Sequence, residues 1–68
     1  MDEIIESFEK ITKCKAIPYA VQSIKVLLSK YDIDTVIQAF EIAHTNYNTE
    51  TYNYFFALTD GICKGIYN

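Results

Sequence analysis

Sixty-eight residues make one domain, and a chain that short buries roughly 60% of the surface its unfolded form exposes. Half the residues are hydrophobic and 22% are charged, too apolar for an intrinsically disordered segment, while one Pro and two Gly argue against a loop-rich or all-β fold. Nine acids against six lysines, with no arginine, give a net charge of −3; that balance excludes the broad basic face on which non-specific nucleic-acid binding depends.

The first helix is predicted over Asp2 to Thr12. Ile4, Ile5, Phe8 and Ile11 recur at three- and four-residue spacing and form one apolar stripe. Asp2, Glu3 and Glu6 lie in its first turns and Lys10 and Lys13 near its end, in register with the helix dipole. Cys14-Lys15-Ala16-Ile17 interrupts the pattern, and Pro18 opens a second helix, where its missing N–H costs nothing. Val21, Ile24, Leu27, Leu28 and Tyr31 then share one face, with Gln22, Lys25 and Ser29 on the other.

Asp32 or Asp34 caps the third helix, and Tyr31 is placed to pack back on Val36 as a hydrophobic staple. Val36, Ile37, Phe40 and Ala43 make its inner stripe, with Ala39 and Ile42 beside it. The polar run from His44 to Thr49 reads as a loop that ends in a helix cap, Asn48 or Thr49. The fourth helix is predicted from Glu50 to Lys64, with Tyr52, Phe55, Phe56, Leu58 and Ile62 as its apolar set. Gly61 weakens it by about 1 kcal/mol relative to Ala, and Gly65 is the expected stop. Tyr52, Tyr54, Phe55 and Phe56 also favour strands, but a lone strand after three helices would have no partner. The fold expected is all-α: one small bundle of about four short helices spanning residues 1–68, its core including Phe8, Ile24, Leu28, Val36, Phe40, Phe55 and Leu58.

The chemistry-bearing residues are few. Cys14 and Cys63 are separated by most of the chain and form no C-x-x-C pair, and His44 makes no ligand cluster with them. Two small buried hydrophobes is the expected reading, with termini that bring the thiols together as the alternative. No nucleophile elbow and no glycine-rich phosphate loop occurs, so neither catalytic residues, nor a metal, nor a cofactor is expected. The opening Met-Asp-Glu-Ile-Ile-Glu lacks the basic and apolar regions of a signal peptide, and no uncharged stretch approaches the ~20 residues a bilayer requires. A cytoplasmic protein without membrane contact is the expectation.

Two features carry the functional reading. Five of the lysines, Lys10, Lys13, Lys15, Lys25 and Lys30, fall in the first thirty residues, whereas only Lys64 stands among the later acids. An ordinary solvated surface explains them; a local basic patch is the alternative. The second feature is the aromatic run Tyr52, Tyr54, Phe55 and Phe56, too many rings for one helix to turn into a small core. Core rings with one amphipathic Tyr at the rim, filling a gap left by short first and second helices, explain the run; the functional expectation is one of Tyr52, Tyr54 or Phe56 at a protein contact, or a ring stacked on a nucleic-acid base.

Several segments together resemble a known family: Ile4-Ile5-x-x-Phe8-Glu9-Lys10-Ile11-Thr12, Ile24-x-x-Leu27-Leu28-x-x-Tyr31-Asp32, Val36-Ile37-x-Ala39-Phe40-Glu41-Ile42-Ala43, and Tyr54-Phe55-x-Ala57-Leu58. The pattern is similar to the C-terminal domain of DnaD-type replication proteins, the primosome and replisome-organiser proteins of low-GC Gram-positive bacteria and their phages. The family's Tyr-x-x-x-Ile-x-x-x-Trp signature falls on Tyr54, Leu58 and Ile62, without the Trp. The resemblance implies replication initiation: DNA binding, assembly into homo-oligomers, and help to a helicase or its loader. The expected DNA contact is weak and sequence-independent, carried by Lys10, Lys13, Lys15, Lys25 and Lys64, with Tyr54 as a further contact. The competing expectation is a phage or mobile-element module that binds proteins or itself without direct DNA affinity.

Overall fold

Ile4 and Phe8 stand one helical turn apart, and both are buried. That pair sets the inner face of α1, Asp2–Thr12. The computed structural model describes residues 2–46 and 51–67, with side chains for 3–46 and 51–65. Three further helices follow: α2, Pro18–Lys30; α3, Ile33–Asn46; and α4, Tyr52–Tyr67. The described residues are thus an all-α bundle of four helices. The α3–α4 pair is the most extensive, α1 packs on α3, and α2 is held more lightly by the other three.

The core is built around phenylalanine. Phe8 of α1, Phe40 of α3, and Phe55 and Phe56 of α4 are all four phenylalanines of the chain, and each touches the other three. Their centroids lie between 5.4 and 6.2 Å apart. Most pairs meet edge to face, while Phe8 and Phe56 stack at an interplanar angle of 18°. Ala20, Ile24 and Leu27 of α2 and Val36, Ala39 and Ala43 of α3 close the cluster.

Each end of a helix has a chemical cause. The N–H of Lys13 donates to the Glu9 carbonyl at 2.8 Å, with Lys13 at φ 59°, so α1 stops in a left-handed cap that glycine usually fills. Pro18 starts α2 after the extended Ile17. Of the two candidate caps for α3 it is Asp32 that serves: its Oδ1 accepts the Thr35 N–H at 2.8 Å. The Thr51 hydroxyl oxygen accepts from the Tyr54 N–H at 3.2 Å and caps α4. Asn48, Thr49 and Glu50, the start expected for that helix, lie outside the described residues.

Four expectations are corrected. Helix α3 continues through His44 and Thr45 to Asn46, because carbonyls one turn back are there to accept the polar residues' N–H groups. Helix α4 runs past Gly65 to Tyr67; neither glycine has positive φ, so Gly65 ends nothing. Leu28 and Leu58 are half-buried at the margin rather than central. Phe55 and Phe56 turn α4 so that Thr59 and Cys63 face inward, and the Thr59 hydroxyl, donated to the Phe55 carbonyl at 2.8 Å, enters the core satisfied. Finally, Cys14 is exposed; only Cys63 is the small buried hydrophobe expected, and both thiols are free.

Phe40 has 0% of its surface exposed and meets the other three phenylalanines. Phe40→Ala is expected to cost about 3–5 kcal/mol, comparable with the whole stability of a domain this small. Thermal and urea unfolding followed by circular dichroism should show loss of the cooperative transition; an unchanged melting temperature would contradict the ring's place in the core.

Candidate functional site

The lysines predicted to meet DNA divide into groups. Lys10 lies in the last turn of α1, and Lys13 and Lys15 lie in the link to α2; all three are exposed. The link is pinned from both sides. Glu9 Oε2 accepts the Ala16 N–H at 2.8 Å, and the Tyr52 hydroxyl donates to the Lys15 carbonyl at 2.7 Å. Lys13 and Lys15 are therefore presented on a held turn rather than a loose one. Among the described residues neither they, nor Lys10, nor Lys25 on the outer side of α2, makes an ion pair.

Lys64 belongs elsewhere. Tyr52 marks the end of α4 beside the link, and Lys64 lies twelve residues further on, about 18 Å along the axis. Its Nζ is 3.6 Å from Asp60 Oδ2, so its charge is already engaged. Asp60 is the polar hub of that end. Its Oδ1 also takes the Lys30 ammonium at 3.0 Å and the Tyr31 hydroxyl at 3.1 Å, joining α2 and the α2–α3 turn to α4. The Lys30 Nζ lies 5.8 Å from the centroid of the Tyr31 ring. Burial pushes the Asp60 carboxyl up, but the hydrogen bonds from Lys30 and Tyr31, with the charges of Lys30 and Lys64, outweigh it and hold the group below its ordinary range.

The aromatic run also divides. Phe56, expected as a contact residue, is only 6% exposed; as a member of the four-ring cluster it belongs to the core. Tyr52 is half-buried, its ring 6.2 Å from Phe8 and its hydroxyl spent on the Lys15 carbonyl. Tyr54 alone of the three stands out, at 51% exposure. It is two residues past Tyr52, about 200° around the helix, so its ring points away from the lysine link. The other two rings pack on Phe8 instead.

Two hollows were not foreseen. Phe8, Tyr52 and Phe55 floor a cleft of about 100 Å³ beside the lysine link, with Cys14 and His44 on its lining. Both are exposed, and no sequence spacing relates them. Among the described residues no group of three or more His, Cys, Asp or Glu could hold a metal ion. The second hollow, about 240 Å³, is a groove between α2 and α4 lined by Tyr19, Ser23, Val26 and Leu27 from one helix and Asn53, Phe56 and Ala57 from the other. Its one sequence signal is the apolar pair Tyr19 and Val26, seven residues apart and off the inner stripe of α2.

No protein-family model matches the chain, and neither a curated protein nor a solved structure matches it. No helix among the described residues is long and apolar enough to cross a membrane.

Two measurements test this electrostatic picture. Because Asp60 has a lowered folded pKa, its contribution is present above the unfolded carboxyl value near about 3.9 and fades as pH falls through the folded value. Asp60→Asn should melt a few degrees below the parent at neutral pH, and the gap should close in strong acid; a gap constant with pH would contradict the ion hub. Burial first, then the carboxylates of Asp60 and Asp32, push the Cys63 thiol up to about 11. A disulfide reagent at mildly alkaline pH should therefore modify Cys14 alone in the folded chain and Cys63 only after unfolding, as read by mass spectrometry.

Proposed function

We propose that this chain is a contact domain in DNA replication initiation, of the DnaD type, that meets nucleic acid weakly and assembles with replication proteins such as a helicase or its loader in the cytoplasm. The observation that carries the reading is the exposed, unpaired trio Lys10, Lys13 and Lys15 at a pinned turn, on a chain that is otherwise acidic. Lys10 at the end of α1 and Lys13 and Lys15 on the held link meet phosphates without first breaking internal ion pairs. Tyr54 faces another direction and serves assembly on this reading, as an exposed ring to which a second copy or a partner packs. The α2–α4 groove favours a second reading, protein docking without DNA.

Fluorescence anisotropy with a labelled duplex and a labelled single strand separates the two. The first reading expects sequence-independent dissociation constants of about 10⁻⁶–10⁻⁴ M at physiological salt, and a log–log salt slope of about −2 to −3 for three phosphates. Lys13→Glu with Lys15→Glu should abolish binding, whereas Lys64→Ala should leave it nearly unchanged. No binding even at low salt would favour the second reading. Nanomolar affinity that survives the double change would overturn the assignment of these lysines.

A further inference from the structure

The cleft beside the lysine link joins rings to cations. Phe8 of α1 and Tyr52 and Phe55 of α4 make its inner side, and Cys14, His44 and Thr51 line it from the link, from α3 and from the cap of α4. Phe8 and Phe55 are buried and Tyr52 is half-buried, so a ligand meets the Tyr52 ring first. That residue is tied to both neighbours. Its ring leans on Phe8 at 6.2 Å, and its hydroxyl donates to the Lys15 carbonyl at 2.7 Å. One side chain thus belongs to the cleft and braces the lysine link at once. Cys14, on the lining, stands between Lys13 and Lys15 in the chain, both exposed and without an ion pair among the described residues.

Size and polarity select the occupant. At about 100 Å³ the cleft is smaller than the cavity of roughly 150 Å³ that encloses benzene, and its rim residues are exposed, so it seats part of one aromatic ring and nothing bulkier. Its polar groups suit a ring with hydrogen-bonding edges. The Thr12 hydroxyl is spent, donating to the Phe8 carbonyl at 2.8 Å and accepting the Cys14 N–H at 3.2 Å. The His44 ring and the Cys14 thiol, by contrast, hold no hydrogen bond among the described residues, and the Thr51 hydroxyl accepts from the Tyr54 N–H with its own proton still to give. A purely apolar ligand leaves those groups and the neighbouring lysines unused. A nucleic-acid base has a π-face, polar edges and phosphates close by on its own backbone. We infer that the cleft takes an unpaired base of a single strand whose phosphates lie on Lys13 and Lys15, so that this end of the domain selects single-stranded over double-stranded nucleic acid. The inference rests on the reading of the lysines as phosphate contacts and adds a strand preference to it. In a duplex each base is stacked and its pairing edge is taken, so it must leave the helix before it can enter the cleft. A duplex reaches the lysines alone.

Anisotropy at low salt with three labelled probes of equal length, about 12 nucleotides, tests it: oligothymidylate, a duplex, and a deoxyribose-phosphate strand without bases. The duplex carries the highest charge density, so lysines acting alone would favour it. The cleft reverses that order, and oligothymidylate should bind at least about tenfold more tightly than either other probe. In nitrogen-15 correlation spectra oligothymidylate should shift the His44 and Phe55 amides, which the base-free strand should leave in place. N-phenylmaleimide on Cys14, the exposed thiol, sets a phenyl ring in the cleft and leaves every lysine unchanged. Oligothymidylate affinity should then fall to that of the base-free strand, with the fold checked by the spectrum. His44→Ala, a change at an exposed position, should weaken oligothymidylate about threefold or more. Duplex binding as tight as oligothymidylate, or an affinity untouched by the maleimide, would overturn the cleft and leave the lysine contacts standing. No binding by any probe, or binding that survives Lys13→Glu with Lys15→Glu, would remove the lysine reading and the cleft with it.

Discussion

Mutual contact among four phenylalanines is the constraint on which this domain depends. A chain of 68 residues has little interior, and here its centre is one cluster fed by α1, α3 and α4. Because each ring touches the other three, none of α1, α3 and α4 can rotate without separating a pair. Burying both Phe55 and Phe56, neighbours in sequence, sets the roll of α4. That roll brings Thr59 and Cys63 inward, leaves Leu58 at the margin and turns Tyr54 outward.

Helix α2 relates differently to the cluster. It supplies Ala20, Ile24 and Leu27 but no phenylalanine, and Tyr19 reaches Phe56 from the rim at 6.3 Å. Its attachment to α4 is completed by polar bridges, Tyr19 to Asn53 and Lys30 to Asp60, which hold the helices apart as much as together. The groove follows from this: with bridges at two points, the small side chains of Ser23 and Ala57 leave the space above Leu27 and Phe56 open. Asp60 concentrates the demand, since Lys30, Tyr31 and Lys64 all converge on one carboxylate.

The same arrangement sorts the charges. Lys64, like Lys30, is drawn into the hub, whereas Lys10, Lys13 and Lys15 stand free around the end of α1. Lys13 holds a left-handed backbone that glycine would adopt at less cost, a conformation that keeps the turn sharp and the neighbouring lysine close by. Under the proposed function this end meets phosphate.

Local pattern was enough for the helices. Stripes at three- and four-residue spacing, Pro18 at the start of α2 and Asp32 as one of two candidate caps are properties of short segments, and local hydrogen bonding enforces them. The central place of Phe8, Phe40 and Phe55 was legible for the same reason, since each lies in the middle of its stripe. What needed the tertiary structure was every choice between near-equivalent neighbours: Leu27 over Leu28 and Thr59 over Leu58, the inward turn of Phe56 against the outward turn of Tyr54, and the exposure of Cys14. One residue of rotation is about 100° on a helix, and composition alone scarcely separates such neighbours. Packing against the other helices decides between them, and it also decides the fate of Lys30: the Asp60–Lys64 pair needs only one turn of α4, whereas Lys30 and Tyr31 reach Asp60 only once α2 lies beside α4.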